Sequence, residues 1–422
     1  MKGVILVGRI FILISSLASA LGGCSGGSSN TATSSGGTTS QAAGGSSATG
    51  GAASDAGGAA TGGAGGTTST KLVINALTTG TDFACAALSD GTVHCWGDGF
   101  VGQLGNGGQV QRLVPVLVSN ITNAVSVSAG TSHACALLST GSVMCWGTNT
   151  SGELGNGSTT NSPVPVAVTN LTSATAISAG NGVSCAIISG GAVQCWGANL
   201  TGELGNGSYV ESHVPVTVAS ITNASNIDVG EGQSCAVLAN GTLDCWGLNS
   251  SGELGNGTTD RSNVPVAVSN LSNVASVAAG GAHTCALLKD GTIQCWGVNS
   301  HGELGDGTMV DRSVAAPVTG ISNASMVSAG LMQTCAVLKD GSIQCWGGNV
   351  VGELGDGTTT NSSVPVRVSN ITNASGVAGG QQFTCAADSD GVAHCWGHNS
   401  YGQLGNNTLN VNSPVPVTVS SF

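Results

Sequence analysis

From residue 71 onward, short apolar runs alternate with clusters of Gly, Asn, Asp and Ser. One stretch places the runs at 264–268, 275–279, 284–288 and 292–296. Runs of this length, bounded by turn formers, read as β-strands. None sustains a helical period long enough for a stable helix. The pattern recurs at a shift of fifty residues. Trp96, Trp146, Trp196, Trp246, Trp296, Trp346 and Trp396 mark seven copies without drift. Seven units of four short strands predict an all-β, seven-bladed β-propeller of four-stranded antiparallel blades. A β-helix is the architectural alternative, although its coils are usually shorter.

Fourteen cysteines fall in seven C-x9-C pairs: Cys85 with Cys95, Cys135 with Cys145, Cys185 with Cys195, Cys235 with Cys245, Cys285 with Cys295, Cys335 with Cys345, and Cys385 with Cys395. Between each pair lies a glycine: Gly91, Gly141, Gly191, Gly241, Gly291, Gly341 or Gly391. A three-residue hairpin loop that ends in a left-handed residue places glycine there. With that loop Leu288 faces Thr292, and counting outward sets Cys285 opposite Cys295. A two-residue turn would pair Cys285 with Trp296 instead. Opposed Cβ atoms lie near disulfide range, so one disulfide is expected inside each hairpin. Buried free thiols are the alternative. A zinc site needs four ligands, and each pair lacks a fixed partner set.

Composition then narrows the class. Charged residues are 7% of the chain and Gly numbers 69, which suits tight turns and a surface solvated by hydroxyls and amides. The net charge is −12. Removal of a leader with Lys2 and Arg9 would leave 7 basic against 21 acidic residues, near −14. That balance argues against nucleic acid and against docking on anionic lipid. Regular disulfides belong outside a reducing cytosol. Lys2 and Arg9 precede an apolar stretch at 10–20 and then Leu21-Gly22-Gly23-Cys24. The order is that of a secretory signal, and the stretch is short for a membrane span of ~20 residues. Leu-Gly-Gly-Cys resembles the lipobox of bacterial lipoproteins, in which the cysteine becomes the acylated N-terminus. The alternative is an ordinary signal with an incidental cysteine. The expected organisation is a signal at 1–23, an acylated Cys24 with a flexible Gly/Ser/Ala/Thr linker over 24–70, and the propeller over 71–422.

One unit carries Ala286-Leu287, Asp290-Gly291, Trp296-Gly297 and Gly302-Glu303-Leu304-Gly305. This spacing resembles the regulator of chromosome condensation repeat family and extends over 71–422. The resemblance implies a seven-bladed propeller. It also brings the founding member's roles, nucleotide exchange on a small GTPase and chromatin binding. Export, acidity and the absence of a basic tail argue against both here. Other relatives bind proteins, one of them a secreted propeller that inhibits β-lactamases. Fold alone does not assign function.

Positions fixed in all units read as scaffold. Gly80 and its equivalents, and the Gly-x-Leu-Gly runs, should be turns where backbone meets backbone, and the tryptophans should pack between blades. Recognition is then expected where units differ. Phe83, His133, Met332 and Phe383 share one variable position set, with Phe83, Met332 and Phe383 on adjoining blades. Phe100, Tyr209 and Tyr401 come from a second set, which also includes His301. All seven are candidate partner-binding residues, with space-filling between blades and scattered surface positions as the plain alternatives. Glu153, Glu203, Glu253, Glu303 and Glu353 would form an acidic arc if exposed, or bond their own turns. His94, His394 and His398 lie near one another without a fixed carboxylate, so no metal site is assigned. No catalytic motif and no cofactor-binding motif is present. The expectation is a monomeric, non-enzymatic lipoprotein, lipid-anchored at the outer membrane on the periplasmic or cell-surface side. It would bind an unknown protein partner, with no nucleic acid and no membrane contact beyond the anchor. An envelope hydrolase or carbohydrate-binding propeller, and a purely structural surface protein, are the alternatives. The N-terminal strand near 72–75 is expected beside the C-terminal strand near 415–419.

The disulfide expectation has a direct check. Alkylation of the exported, unreduced chain should label none of the fourteen paired cysteines, and labelling of all fourteen would refute the pairing.

Overall fold

The computed structural model describes residues 72–422. The signal at 1–23, Cys24 and the linker over 24–70 lie outside the described residues. In every unit the hairpin closes as the glycine and cysteines require. In the first, the Gly91 N–H donates to the Leu88 carbonyl at 2.9 Å, and the Leu88 N–H donates to the Thr92 carbonyl at 2.9 Å. Gly91 takes φ 84°, and its six equivalents fall between 77° and 89°. The register that follows sets Cys85 opposite Cys95, and the same register recurs in the other six hairpins. Disulfides join Cys85 to Cys95, Cys135 to Cys145, Cys185 to Cys195 and Cys235 to Cys245. They likewise join Cys285 to Cys295, Cys335 to Cys345 and Cys385 to Cys395. Cα–Cα separations are 4.0–4.1 Å in all seven. Both sulfurs of each pair are buried, so these cysteines belong to the scaffold and not to a reactive or ligand-binding site. Each disulfide closes a short loop, worth about 3 kcal/mol at most in chain entropy.

Each sheet is built from four consecutive strands. In blade 1 they are Ile74–Thr79, Phe83–Leu88, Val93–Gly97 and Arg112–Leu117, running from the central channel outward. Blades 2 to 7 cover 124–167, 174–217, 224–267, 274–317, 324–367 and 374–418. This corrects two expectations. The strand at 264–268 belongs to blade 4 and not with the runs at 275–279, 284–288 and 292–296, because a long loop after each third strand returns the chain to the outer edge of its own sheet. The N- and C-terminal strands also do not pair. With every blade complete in sequence order, blades 7 and 1 close the ring by packing and hydrogen bonds between blades, with no strand shared between them. The outermost strands carry proline, as at Pro115, Pro215 and Pro365. Proline cannot donate to an added strand, so these edges are blunted against pairing.

Blade-to-blade contact has three parts. First, each Trp is fully buried. Its indole N–H donates to a backbone carbonyl in the preceding blade's Gly-x-Leu-Gly turn at 2.7–3.0 Å. Gly105 makes room for this: its φ is 64° and a Cβ there would lie 2.8 Å from the Trp146 ring. Second, Gly80, Gly130, Gly180, Gly230, Gly280, Gly330 and Gly380 form an inner ring. A Cβ on any of them would stand within 2.9 Å of the carbonyl oxygen of the next, and Gly380 meets Gly80. Third, a side chain on the innermost strand accepts an edge N–H from the following blade. Thr78 accepts from Ala129, Ser128 from Ala179, Ser178 from Val229, Asp228 from Ala279 and Ser328 from Gly379, at 2.8–3.0 Å.

Ala278 and Ala378 occupy that position in blades 5 and 7 and offer no acceptor. Ala278→Ser and Ala378→Ser should each raise the calorimetric unfolding midpoint. Ser128→Ala should cost about 1 kcal/mol, the worth of one hydrogen bond.

Candidate protein-binding face

The first variable set does not form a surface. Phe83 and Phe383 are 0% exposed and His133 is 1% exposed. Side chains at this position point into the next blade, because the strand leaves the Gly80-type turn with that face toward the seam. His133 Nε2 lies 2.8 Å from Ser184 Oγ. Ser184 already donates to the Glu153 carbonyl, so His133 supplies the proton. His283 meets Thr334 in the same way at 2.8 Å. Gln233 and Gln333 donate to backbone carbonyls of the following blade. Phe83, His133 and Phe383 are therefore seam fillers, which corrects their assignment as partner contacts. Met332 is half-buried, its carbonyl accepting the Gly348 N–H.

The acidic arc is also absent. Glu153, Glu253, Glu303 and Glu353 are at most 3% exposed, and Glu203 is half-buried. Each carboxylate accepts the N–H two residues before it at 2.8–2.9 Å. Gln103 and Gln403 do the same in blades 1 and 7. These residues hold turns rather than attract cations. Burial pushes the Glu153, Glu253 and Glu353 carboxyls up from their ordinary values.

The most exposed of the large apolar side chains lie on the long loops between third and fourth strands. An asparagine organises each loop from blade 2 onward. Asn149 accepts the Leu154 N–H at 2.9 Å and donates to the Ser158 and Thr160 carbonyls. Asn199, Asn249, Asn299, Asn349 and Asn399 are likewise at most 1% exposed, while Gly99 stands in blade 1. The sequence signal for this hub is the Trp-Gly-x-Asn spacing, which does not by itself distinguish a buried loop asparagine from a surface one.

Two groups on these loops carry exposed aromatic side chains, and Met309 and Val310 are exposed on the blade 5 loop. Phe100 is 55% exposed and meets Tyr401 edge-on, with ring centroids 6.4 Å apart. The second group straddles blades 3 and 4. Leu200 is 80% exposed, Val210 70% and Tyr209 44%. The Arg261 guanidinium sits 4.7 Å over the Tyr209 ring and donates to the Leu200 carbonyl at 3.2 Å. Glu211, paired with His213 at 3.2 Å, and Asp260 border it in sequence. His301 bonds Glu303 in its own turn.

The channel between the innermost strands has a volume of about 380 Å³. Its wall carries Asp228 and Glu231 from blade 4. Asp228 accepts from Ser178 Oγ and the Ala279 N–H, and burial pushes its carboxyl up to about 6. His94 packs on Phe422 at 5.8 Å, His394 lies 3.4 Å from Asp388 and His398 lies 3.5 Å from Asp82. Among the described residues no group of three or more His, Cys, Asp and Glu is arranged to hold a metal.

A family model described as the regulator of chromosome condensation (RCC1) repeat matches residues 90–137, 140–187, 240–287, 340–387 and 390–422. A second model of the same repeat matches 74–103, 124–153, 274–303 and 375–403. No curated protein matches the sequence. Among solved structures, yeast RCC1 (Prp20) bound to Kap60 shares 20% identity at a TM-score of 0.69, covering 82% of this chain and 85% of that one. Prp20p from Saccharomyces cerevisiae, described with its binding to Gsp1p and histones, shares 20% at 0.67 over 81% and 86%. Human WBSCR16 shares 23% at 0.67 over 75% and 87%. At these identities the likeness is one of fold.

Burial pushes His133 and His283 down to about 4. A depressed histidine stabilises the fold above its unfolded value near 6.5, and that contribution is lost as pH falls toward 4, up to about 3 kcal/mol each. His133→Gln with His283→Gln, which copies blades 4 and 6, should flatten the acid limb of stability between pH 6.5 and 4 in urea titrations. An unchanged slope would refute the seam assignment.

Proposed function

The chain belongs to the regulator of chromosome condensation (RCC1) repeat family, and we propose that its propeller is a non-enzymatic protein-binding module carried on an exported lipoprotein. The observation that carries the reading is the ordered cluster of Leu200, Tyr209, Val210 and Arg261. Three exposed apolar side chains lie beside an arginine already fixed by an aromatic ring and a carbonyl. Aromatic and arginine anchors carry much of the energy of protein interfaces. An arginine held before binding loses less side-chain entropy on association. Yeast RCC1 has been solved with a protein bound to it, which supports the use of this fold as a docking platform.

The lipoprotein half of the proposal rests on sequence. The Leu-Gly-Gly-Cys run supplies the acylation site at Cys24, and the Gly/Ser/Ala/Thr segment that follows supplies reach. The anchor would hold the propeller at the outer membrane, on its periplasmic or cell-surface side. The disulfides suit that setting, since they persist in oxidising compartments.

Two experiments test these halves separately. Leu200→Asp with Tyr209→Ala should abolish capture of partners from an envelope extract, while oxidised variant and wild type unfold at the same midpoint. Undiminished capture would exclude this cluster. Cys24→Ser should abolish incorporation of labelled palmitate and release the protein from the membrane fraction, and persistent labelling would refute the acylation site.

A further inference from the structure

The seam between blades 7 and 1 differs from the other six in its covalent structure. Elsewhere a linker such as 118–123 carries the chain from one blade's outermost strand to the next blade's innermost strand. Besides Val118 and its equivalents, that linker buries a second aliphatic side chain in the seam: Ile121, Leu171, Ile221, Leu271, Ile321 or Ile371, each at most 7% exposed. At the seventh seam the linker comes in two unjoined halves. Val419 and Ser420 repeat the contacts of Val118 and Ser119. Their N–H groups donate to the Ala393 and Gly405 carbonyls, as those of Val118 and Ser119 donate to Val93 and Gly105. Leu72 and Val73 repeat Thr122 and Asn123. The Leu72 carbonyl stands over Gly391 as that of Thr122 stands over Gly91. Val73 accepts the Ser89 N–H at 2.8 Å, as Asn123 accepts that of Ser139 at 2.9 Å.

Phe422, three residues past Val419, thus takes the place of the aliphatic plug. Half-buried, it packs against the cluster that holds Val419 and Trp96, its ring 5.9 Å from Trp96 and 5.8 Å from His94. Other contacts are peculiar to this seam. Gln403 donates to Asp82 across the boundary at 2.9 Å, and Phe100 meets Tyr401. The edge-strand acceptor is missing, since Ala378 stands in its place.

We propose that the propeller opens first at this seam and that Phe422 is the latch that holds it shut. At the other six seams, losing the plug leaves two blades tethered by a short linker, so they re-close at high effective concentration. Between blades 7 and 1 no such tether exists, and closure rests on non-covalent contacts, among them the Trp96 indole on the Gln403 carbonyl and the Asn407 N–H on the Leu113 carbonyl. A large aromatic ring there replaces part of what the linker supplies elsewhere.

Hydrogen exchange on the oxidised full chain, read by mass spectrometry, tests the proposal. In the wild type, amides of Ile74–Thr79 should exchange faster than those of Ala224–Val229. Phe422→Ala should accelerate exchange in blades 7 and 1 about tenfold or more and leave blades 3 and 4 unchanged. Phe422→Ile should return it to within about threefold of wild type. Ile221→Ala, the matched change at a tethered seam, should accelerate exchange around itself less than Phe422→Ala does around the open seam. Equal exchange at the two strands in the wild type would overturn the proposal even if Phe422→Ala fails to fold. Equal effects of Phe422→Ala and Ile221→Ala would overturn it as well.

Discussion

The architecture depends on one contact made seven times: a tryptophan indole donating into a backbone carbonyl of the preceding blade, over a glycine that has no side chain to obstruct it. A blade of four short strands is too small to bury its own faces and must lean on a neighbour. The Trp supplies apolar area, and its N–H bonds a buried carbonyl of the neighbouring turn, which for the Trp of blades 3 to 7 is shared with a Ser or Thr hydroxyl. The Gly80-type ring repeats the arrangement at the channel, where backbone stands against backbone. Larger side chains at either glycine would push the blades apart, so the same residues recur in every unit.

Local chemistry made part of this legible in the sequence. The glycine between paired cysteines specified a left-handed turn position, the turn set the register, and the register set the disulfides. Blade limits were not legible, because a repeat has no marked beginning and the 98–111 type of loop hides which sheet the outer strand joins. The variable positions misled for a physical reason. A seam needs complementary volume, and complementarity can be met by His133 with Ser184, by Gln233 with backbone carbonyls, or by Phe383 packed on its own. Variation among units at such a position reflects several solutions to one packing problem. The glutamates were ambiguous in the sequence because a turn carboxylate and a surface carboxylate look alike until burial is known.

Once the scaffold has claimed its residues, few chemical groups are left over. The seven buried disulfides, the turn glutamates and the seam histidines are all engaged in structure. Asp228, the carboxyl in the channel wall, is bonded across two seams. The most exposed large apolar side chains are on the long loops, which buried asparagines organise from blade 2 onward. On two of these loops Leu200, Tyr209 and Arg261 are joined by the guanidinium over the Tyr209 ring and its bond to the Leu200 carbonyl.

The central claim is a closed ring held by seam contacts, and Trp96 reports on it most directly, because its indole bonds the Gln403 carbonyl across the one seam with no linker. Solvent exchange of the seven indole N–H protons can be followed by NMR on the oxidised protein. A closed ring predicts that the Trp96 proton is protected well beyond a free indole, as are the other six. Exchange of the Trp96 proton at the rate of a free indole, with the other six protected, would show an open spiral and contradict the account.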